Sequence, residues 1–209
     1  MSILYNITTT MLRASMFGLK HEWHLTRFSM YSALQQISVK LQSREGDVLS
    51  ISSSKIISEL MGFKPVSFTE ANYPEIDILS LPYNDNSFDF VCTDQVLEHV
   101  SGNPQLAINE CWRVLRPNGI AVHTSCFINP IHKEPGDYWR FTPDALCLLS
   151  NKFNKIIEVG SWGNFQALLL LRIGMRFDKV PKAKWHPFHR IALKNDPLWP
   201  IVTWIVTEK

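Results

Sequence analysis

Short apolar runs and one-faced helical segments alternate along most of the chain. Runs rich in β-branched and aromatic residues predict buried strands at residues 48–52, 66–70, 88–94, 120–127, 155–162 and 201–209. Helices are expected at 55–63, at 104–115 and after Thr142, which precedes Pro143 as an N-cap precedes a first helical turn. This alternation predicts an α/β fold with a doubly wound, mostly parallel sheet between two layers of helices.

Two segments outside this pattern are expected to belong to the same single domain, residues 1–209. Apolar positions at helical spacing in residues 1–45 predict a helical cap that packs on the sheet edge and roofs a site. Residues 163–199 form an insertion before the last strand, where basic residues alternate with Trp185, Phe188 and Trp199. The insertion is interpreted as a lid, a dimer surface, a membrane-contact patch or a solvated connection, and these alternatives stay open.

Composition and charge favour a globular protein. The 209 residues are 45% hydrophobic and 19% charged with a net charge of +2, which gives no electrostatic case for nucleic acid as a partner. The four cysteines form no C-x-x-C pair, so neither a zinc site nor a disulfide framework is predicted, and no metal is expected. The longest apolar stretch, Ala167 to Leu171, is far too short to span a bilayer. We therefore expect a cytoplasmic protein without stable membrane insertion.

The most specific wording lies in the middle of the chain. Residues 81–100 read LPYNDNSFDFVCTDQVLEHV, and residues 106–125 read LAINECWRVLRPNGIAVHTS. These two stretches resemble the class I S-adenosylmethionine-dependent methyltransferases of the methyltransferase type 11 kind. The resemblance implies a Rossmann-like, three-layer αβα fold whose C-terminal strand is antiparallel, with S-adenosylmethionine as cofactor.

The loop expected to hold the cofactor departs from the pattern of this family. Family members usually have an acidic residue and then glycines after the first strand, because glycine lets the backbone turn tightly beside the methionine part of the cofactor. Here Ser50 stands at the acidic position, and Ser52 and Ser54 stand at the glycine positions. The serines either bind the cofactor through hydroxyl and backbone hydrogen bonds, or they narrow the groove and weaken the site.

Further cofactor contacts are implied along the carboxyl edge of the sheet. Glu70 ends the second strand, where the fold places an acid that accepts both ribose hydroxyls. Asp77 and Ile78 are expected beside the adenine, in a segment shorter than in longer family members. Asp94 and Gln95 follow the central strand, close to the expected position of the transferred methyl group. Asp94 is thus a candidate for positioning the sulfonium or the acceptor, and capping of the next helix is the alternative.

A second resemblance concerns the acceptor. The segment H-x-x-P-x-DYWRFTP is similar to a subgroup met in polysaccharide and glycan contexts, and it begins at His132. We expect His132 to be the general base and Asp137 to orient it, with Tyr138, Trp139 and Arg140 binding the substrate. In the alternative interpretation the aromatic side chains seal the domain, and Arg140 pairs with Asp137 to shape the turn.

The predicted activity is O-methylation of a sugar, glycan or related small-molecule hydroxyl. Two alternatives remain: a natural-product enzyme of the same fold that methylates or catalyses another step, and a cofactor-poor methyltransferase-like partner protein. The expected partner is a small-molecule or glycan acceptor, whereas peripheral membrane contact and a homodimer stay open.

Overall fold

A computed structural model of the protein describes residues 2–41 and 45–209, with side chains of the first helix described from Ile7 onward. The helices in chain order are α1 (Ser2–Ser15), α2 (Leu25–Ser38), α3 (Lys55–Leu60), α4 (Pro104–Val114), α5 (Pro143–Leu149), α6 (Phe165–Arg172) and α7 (Pro187–Leu193). The strands are β1 (His21–His24), β2 (Glu45–Ile51), β3 (Lys64–Ala71), β4 (Phe88–Asp94), β5 (Leu115–Cys126), β6 (Lys155–Trp162), β7 (Lys179–Pro181) and β8 (Val202–Glu208). A 3₁₀ turn covers Leu97–His99.

The main sheet has the predicted α/β architecture. Among the described residues it contains six strands in the order β3-β2-β4-β5-β8-β6. Neighbouring strands from β3 to β5 are parallel, whereas β8 runs antiparallel to both β5 and β6. The expectation of a mostly parallel, Rossmann-like sheet with an antiparallel C-terminal strand is therefore confirmed.

Each face of the sheet carries its own apolar core because successive strand residues point to opposite faces. Val48, Phe90 and Cys92 pack with residues of α2, α3, α6 and α7 on one face. Leu49 and Val91 pack with residues of α4 and α5 on the other. The sheet is thus the middle layer of three.

Most element boundaries agree with the sequence pattern, and the differences have local causes. β4 and β6 have the predicted bounds, and the Thr142 side chain accepts a hydrogen bond from the Ala145 amide (3.1 Å), as expected of an N-cap. β5 begins earlier than predicted, directly after α4, because Leu115 already pairs with Phe88 of β4. The single-domain assignment stays a prediction.

A small second sheet was not predicted. β1 and β7 pair antiparallel, with His21 opposite Pro181 and His24 opposite Lys179. The pairing joins the cap to the insertion, and the Lys182 amide extends it by donating to the Lys20 carbonyl (2.7 Å). Both strands are too short to show a strand period, so the sequence carries no signal for them. The pairing brings the residues that precede β7 over the carboxyl edge of the main sheet.

The Asp94 carboxylate connects the cap to the sheet. Its Oδ2 accepts a hydrogen bond from the Tyr31 hydroxyl (2.5 Å), and its Oδ1 accepts one from Thr124 Oγ1 (2.6 Å). Arg27 Nε lies 3.7 Å from the same carboxylate. Desolvation and the nearby Asp94 charge raise the pKa of Tyr31, so the phenol stays protonated and keeps donating. Helix α2 is therefore held over the end of β4.

Tyr31→Phe is expected to lower the free energy of unfolding by about 1.5–3 kcal/mol, because it removes a hydrogen bond to a charged acceptor. Urea denaturation followed by far-ultraviolet circular dichroism measures this. Tyr73→Phe is the matched control, since Tyr73 is largely exposed, and its stability should stay within about 0.5 kcal/mol of the parent. Equal stabilities of the two variants would contradict the proposed role of the Tyr31–Asp94 bond.

Candidate functional site

A cleft of about 470 Å³ lies at the carboxyl edge of the main sheet. Segments that follow β2, β3, β4 and β5 line it, and the cap and the insertion close it from above. Open parallel sheets bind ligands at this edge, where the strand ends diverge.

Four of the residues predicted to contact the cofactor line this cleft: Ser52, Asp77, Ile78 and Gln95. Asp77 Oδ1 accepts a hydrogen bond from the Leu79 amide (2.9 Å), which fixes the short segment after β3. Gln95 has a left-handed φ of 57° and donates its side-chain amide to Thr124 Oγ1 (3.2 Å). The structure therefore brings the end of β2, the predicted adenine segment and the end of β4 to one wall.

The serine loop adopts the turn that glycine would otherwise provide. Ser52 and Ser53 have φ values of 54° and 61°, in the left-handed region that side chains with a Cβ rarely adopt. The Ser52 amide donates to the Ala71 carbonyl (2.9 Å), and the Ser53 amide donates to Asn72 Oδ1 (2.9 Å). The backbone thus follows a tight path beside the cleft despite the missing glycines, which fits a bound cofactor.

Two of the predicted serines are not brought to the cleft lining. Ser50 is fully buried within β2, between Glu70 of β3 and Cys92 of β4, and its hydroxyl has no hydrogen-bond partner. Ser54 is also fully buried; its hydroxyl donates to the Ile51 carbonyl (2.5 Å) and accepts from the Asp94 amide (2.6 Å). The Ser54 side chain therefore joins the β2 turn to β4 and is not available to a ligand.

Two predicted acidic residues also lie outside the cleft lining. Glu70 is exposed one residue before the end of β3, at the carboxyl edge of the sheet. Asp94 is taken up by its bonds to Tyr31 and Thr124. Both of its oxygens already have partners in the protein, so contact of Asp94 with cofactor or acceptor stays a prediction.

His132 faces the cleft from the loop after β5. Its Nδ1 lies 3.2 Å from the Pro130 carbonyl oxygen, 3.1 Å from the Asn129 side-chain amide and 3.4 Å from Asp137 Oδ2. Partial burial and the positive charge of Arg176 lower the pKa of His132, against the opposing effect of Asp137. The imidazole is therefore neutral near pH 7, as a general base must be.

The remaining acceptor-side residues divide into those in the cleft and those that build the loop. Tyr138 lines the cleft. Arg140 forms a two-pronged ion pair with Asp137, which keeps the pKa of this carboxyl well below its usual range, and the Asp137 carboxylate also accepts from the His132 amide (2.8 Å). Trp139 Nε1 donates to the Val100 carbonyl (2.9 Å). Trp139 and Arg140 are not among the residues that line the cleft, so their contact with a substrate stays a prediction, and the Arg140–Asp137 pair has the geometry of the turn-shaping alternative.

The cleft-lining residues outside the predicted site include two arginines and a histidine. Arg27 of α2 and Arg176, which follows α6, line the cleft beside His132. His99 also lines it, with its ring edge-on to His132 at a centroid distance of 4.9 Å and Nδ1 hydrogen-bonded to the Gly136 carbonyl. No local pattern marks the two arginines, because only the folded cap and insertion bring them to this edge.

A buried carboxylate lies beneath the cleft. Glu98 is fully buried; its Oε2 accepts from Ser125 Oγ (2.7 Å), whereas its Oε1 has no hydrogen-bond partner. Burial raises the pKa of Glu98. Ligand atoms of Glu98, Cys126 and His132 lie within 4.8 Å of one another, a spacing at which they could hold a metal ion.

Comparison with known proteins agrees with this geometry. Residues 44–123 match a family described as "Methyltransferase domain". The match covers less than half of the chain, and over these residues the chain is similar to that family. The match and the fold confirm the predicted resemblance to class I S-adenosylmethionine-dependent methyltransferases, whereas the DYWRFTP subgroup stays a prediction.

Sequence similarity beyond the family match is limited. Over 80 residues the chain is 38% identical to an uncharacterized 37.1 kDa protein in a transposon of Streptomyces fradiae. The aligned stretch covers 38% of the chain and 23% of that protein. The chain thus spans about a quarter of the length of this relative.

Two solved structures illustrate how widely the fold is shared. A SAM-dependent methyltransferase from Thermotoga maritima, described as a possible histamine N-methyltransferase, is 16% identical with a TM-score of 0.51, covering 86% of the chain and 89% of that structure. The [4+2]-cyclase SpnF is 16% identical with a TM-score of 0.52, and the alignment covers 96% of the chain and 92% of that structure. At these identities the likeness concerns the fold alone.

The length and composition of the helices bear on the prediction that the chain does not insert stably into a membrane. Within residues 2–41 and 45–209, no helix has both the length and the apolar character that crossing a membrane requires.

Ser54→Ala is expected to lower the free energy of unfolding by about 1–3 kcal/mol, because it leaves the buried Asp94 amide without its acceptor. Chemical denaturation measures the change. Ser53→Ala, at an exposed neighbouring position, is the control and should alter stability by less than about 0.5 kcal/mol. A Ser54→Ala protein as stable as the control would show that the hydroxyl does not hold the turn against β4.

Proposed function

We propose that the protein transfers a methyl group from S-adenosylmethionine to a hydroxyl of a sugar, glycan or related small molecule. The observation that carries this proposal is the convergence of two independently predicted groups on one cleft. Ser52, Asp77, Ile78 and Gln95 lie along one wall, and His132 and Tyr138 lie along another. A methyltransferase requires such an arrangement, since the acceptor must be held in line with the transferred methyl group.

The cofactor, when bound, supplies a methyl group on a positively charged sulfur. Ser52 and the Asp77–Ile78 segment would hold its two ends, and Glu70 would reach the ribose from the exposed end of β3. Gln95 lies where a side-chain amide can orient either partner. The left-handed serine turn supports retained binding over a lost site, because the tight backbone path is present without glycine.

His132 would accept the proton of the attacking hydroxyl. The cofactor would supply the methyl group to the acceptor oxygen, and the imidazole would take up the proton that this hydroxyl loses. The Pro130 and Asp137 oxygens near Nδ1 favour a proton on that nitrogen, whereas the Asn129 side-chain amide, 3.1 Å away, competes for it as a donor. With the proton on Nδ1, Nε2 would be the base. The Asp137–Arg140 pair holds the loop that carries the ring.

A second candidate function is a step other than methyl transfer on a small natural product. The likeness to SpnF favours it, since that protein has a similar fold and is described as a [4+2]-cyclase. Methyl transfer is the stronger proposal because a neutral imidazole is aimed at the acceptor space.

Glu70→Ala is expected to weaken binding of S-adenosylmethionine and S-adenosylhomocysteine by about 10- to 100-fold, the range for losing a charge-assisted hydrogen bond. Isothermal titration calorimetry on the intact chain measures both ligands. Glu75→Ala is the matched control, because Glu75 is exposed on the segment after β3. No measurable binding of either ligand by the unchanged protein at millimolar concentration would refute the cofactor proposal.

His132→Ala is expected to lower turnover about 100- to 10,000-fold, the usual contribution of a general base, with cofactor affinity within about twofold of the parent. Steady-state kinetics with a hydroxyl acceptor found by screening provide the test. His21→Ala, at an exposed position in β1, serves as control. Turnover within a few-fold of the parent would return His132 to a structural role.

The rate should also depend on pH in a defined direction. The neutral form of His132 is the active form, and its pKa lies below the ordinary value of 6.5 because of burial and Arg176. The rate of the unchanged enzyme should therefore be flat near neutrality and fall as the pH drops through that lowered pKa. If the midpoint of this fall in rate lay above pH 6.5, the fall could not be assigned to His132.

A further inference from the structure

We propose that Arg27 and Arg176 bind an oxyanion of the acceptor, a carboxylate or a phosphate, beside the hydroxyl that is methylated. This inference rests on the proposed function and names the acceptor's chemical class. Both guanidinium groups line the cleft, one from the cap and the other from the insertion.

The first support is an unsatisfied donor. Arg176 Nε is buried and has no hydrogen-bond partner in the part of the chain that the structure describes. Buried polar groups in native proteins are nearly always paired, so an orphan donor on a ligand cleft indicates a partner that arrives from solution. A guanidinium donates in a planar fork that fits carboxylate and phosphate oxygens.

The second support is the balance of charge. Arg27 Nε lies 3.7 Å from Asp94, whose two oxygens are bonded to Tyr31 and Thr124, and the guanidinium also interacts with the Tyr31 side chain. Arg27 and Arg176 repel each other, and burial together with this repulsion lowers the pKa of Arg176. An anion between the two guanidiniums would relieve the repulsion and neutralise the excess positive charge.

The position of Arg176 favours the acceptor over the cofactor. Its charge acts on His132 and Glu98 and on Cys126 at the end of β5, which are on the acceptor side of the cleft. The serine turn and the Asp77–Ile78 segment lie at the ends of β2 and β3. An oxyanion at Arg176 would therefore sit next to the proposed base.

The same charges weigh against a cation in the Glu98, Cys126 and His132 cluster. Arg27, Arg140 and Arg176 all act electrostatically on Glu98. Their combined positive potential disfavours a divalent ion and favours an anion.

Calorimetric titration of the intact protein with inorganic phosphate, glucose 1-phosphate, glucuronate and glucose tests the proposal, with S-adenosylhomocysteine both absent and present. The phosphate-bearing and carboxylate-bearing probes should bind more tightly than neutral glucose, and their comparison identifies the preferred oxyanion. Arg176→Gln should weaken binding of the preferred probe about 10- to 100-fold, as expected for a lost charged hydrogen bond. Affinity for S-adenosylhomocysteine should stay within about twofold of the parent.

Arg172→Gln is the matched control, because Arg172 is exposed in the last turn of α6 and lines a separate apolar groove. It should bind every probe as the parent does, and thermal unfolding should show that both variants are folded. Arg176→Lys keeps the positive charge but lacks the planar set of donors of a guanidinium. It should bind the preferred probe more tightly than Arg176→Gln and less tightly than the parent.

Two results would overturn the proposal. In the first, Arg176→Gln leaves the affinity for the oxyanion probe unchanged. In the second, Arg176→Gln weakens binding of S-adenosylhomocysteine as much as binding of the probe, which would assign the guanidinium to the cofactor's own carboxylate. The binding readout needs no catalysis. If the parent binds the probe through Arg176 but transfers no methyl group to any hydroxyl acceptor, the oxyanion site stands and the proposed function fails.

Discussion

The arrangement of the cleft depends on the hydrogen bonds that converge at the carboxyl end of β4. Asp94 receives bonds from Tyr31 of the cap and Thr124 of β5, and its amide donates to Ser54 of the serine turn. Four parts of the chain are thus fixed around one residue. Because such bonds are stronger when water is excluded, they hold the cap and the serine turn against the end of β4.

This convergence explains how the turn after β2 can keep a tight path without glycine. Glycine is preferred in a left-handed turn because it has no Cβ, yet Ser52 and Ser53 occupy that region here. The conformational cost, about 1 kcal/mol or more for each residue, is offset by hydrogen bonds from both amides and from Ser54. The surrounding strands therefore hold a turn that the serines alone would not favour.

The acceptor side is organised by a local ion pair instead. Asp137 and Arg140 are three residues apart and hold the loop after β5, so that His132 is presented to the cleft while Trp139 closes the loop against the Val100 carbonyl. Partial burial, together with positive charge from Arg176 of the insertion, lowers the pKa of this imidazole. The same loop thus combines a structural pair with the group proposed to move the proton.

The sequence by itself determined what depends on neighbours along the chain. The apolar run of β4, the N-cap at Thr142 and the short link from β3 to Asp77 each reflect local preferences, and the structure has all three. The sequence also placed the segments predicted for the cofactor and the acceptor at one edge of the sheet, since the ends of parallel strands meet there, and residues of both line the cleft.

Only the tertiary structure decided which side chains reach the ligand. Ser54 and Asp94 stand at motif positions but are used up by internal bonds, whereas Arg27 and Arg176 match no motif and line the cleft. The two arginines are brought together by the β1–β7 pairing and by α2 packing on the sheet. Contacts between residues so far apart leave no periodic trace in the chain, because periodic patterns record only neighbours within one helix or strand.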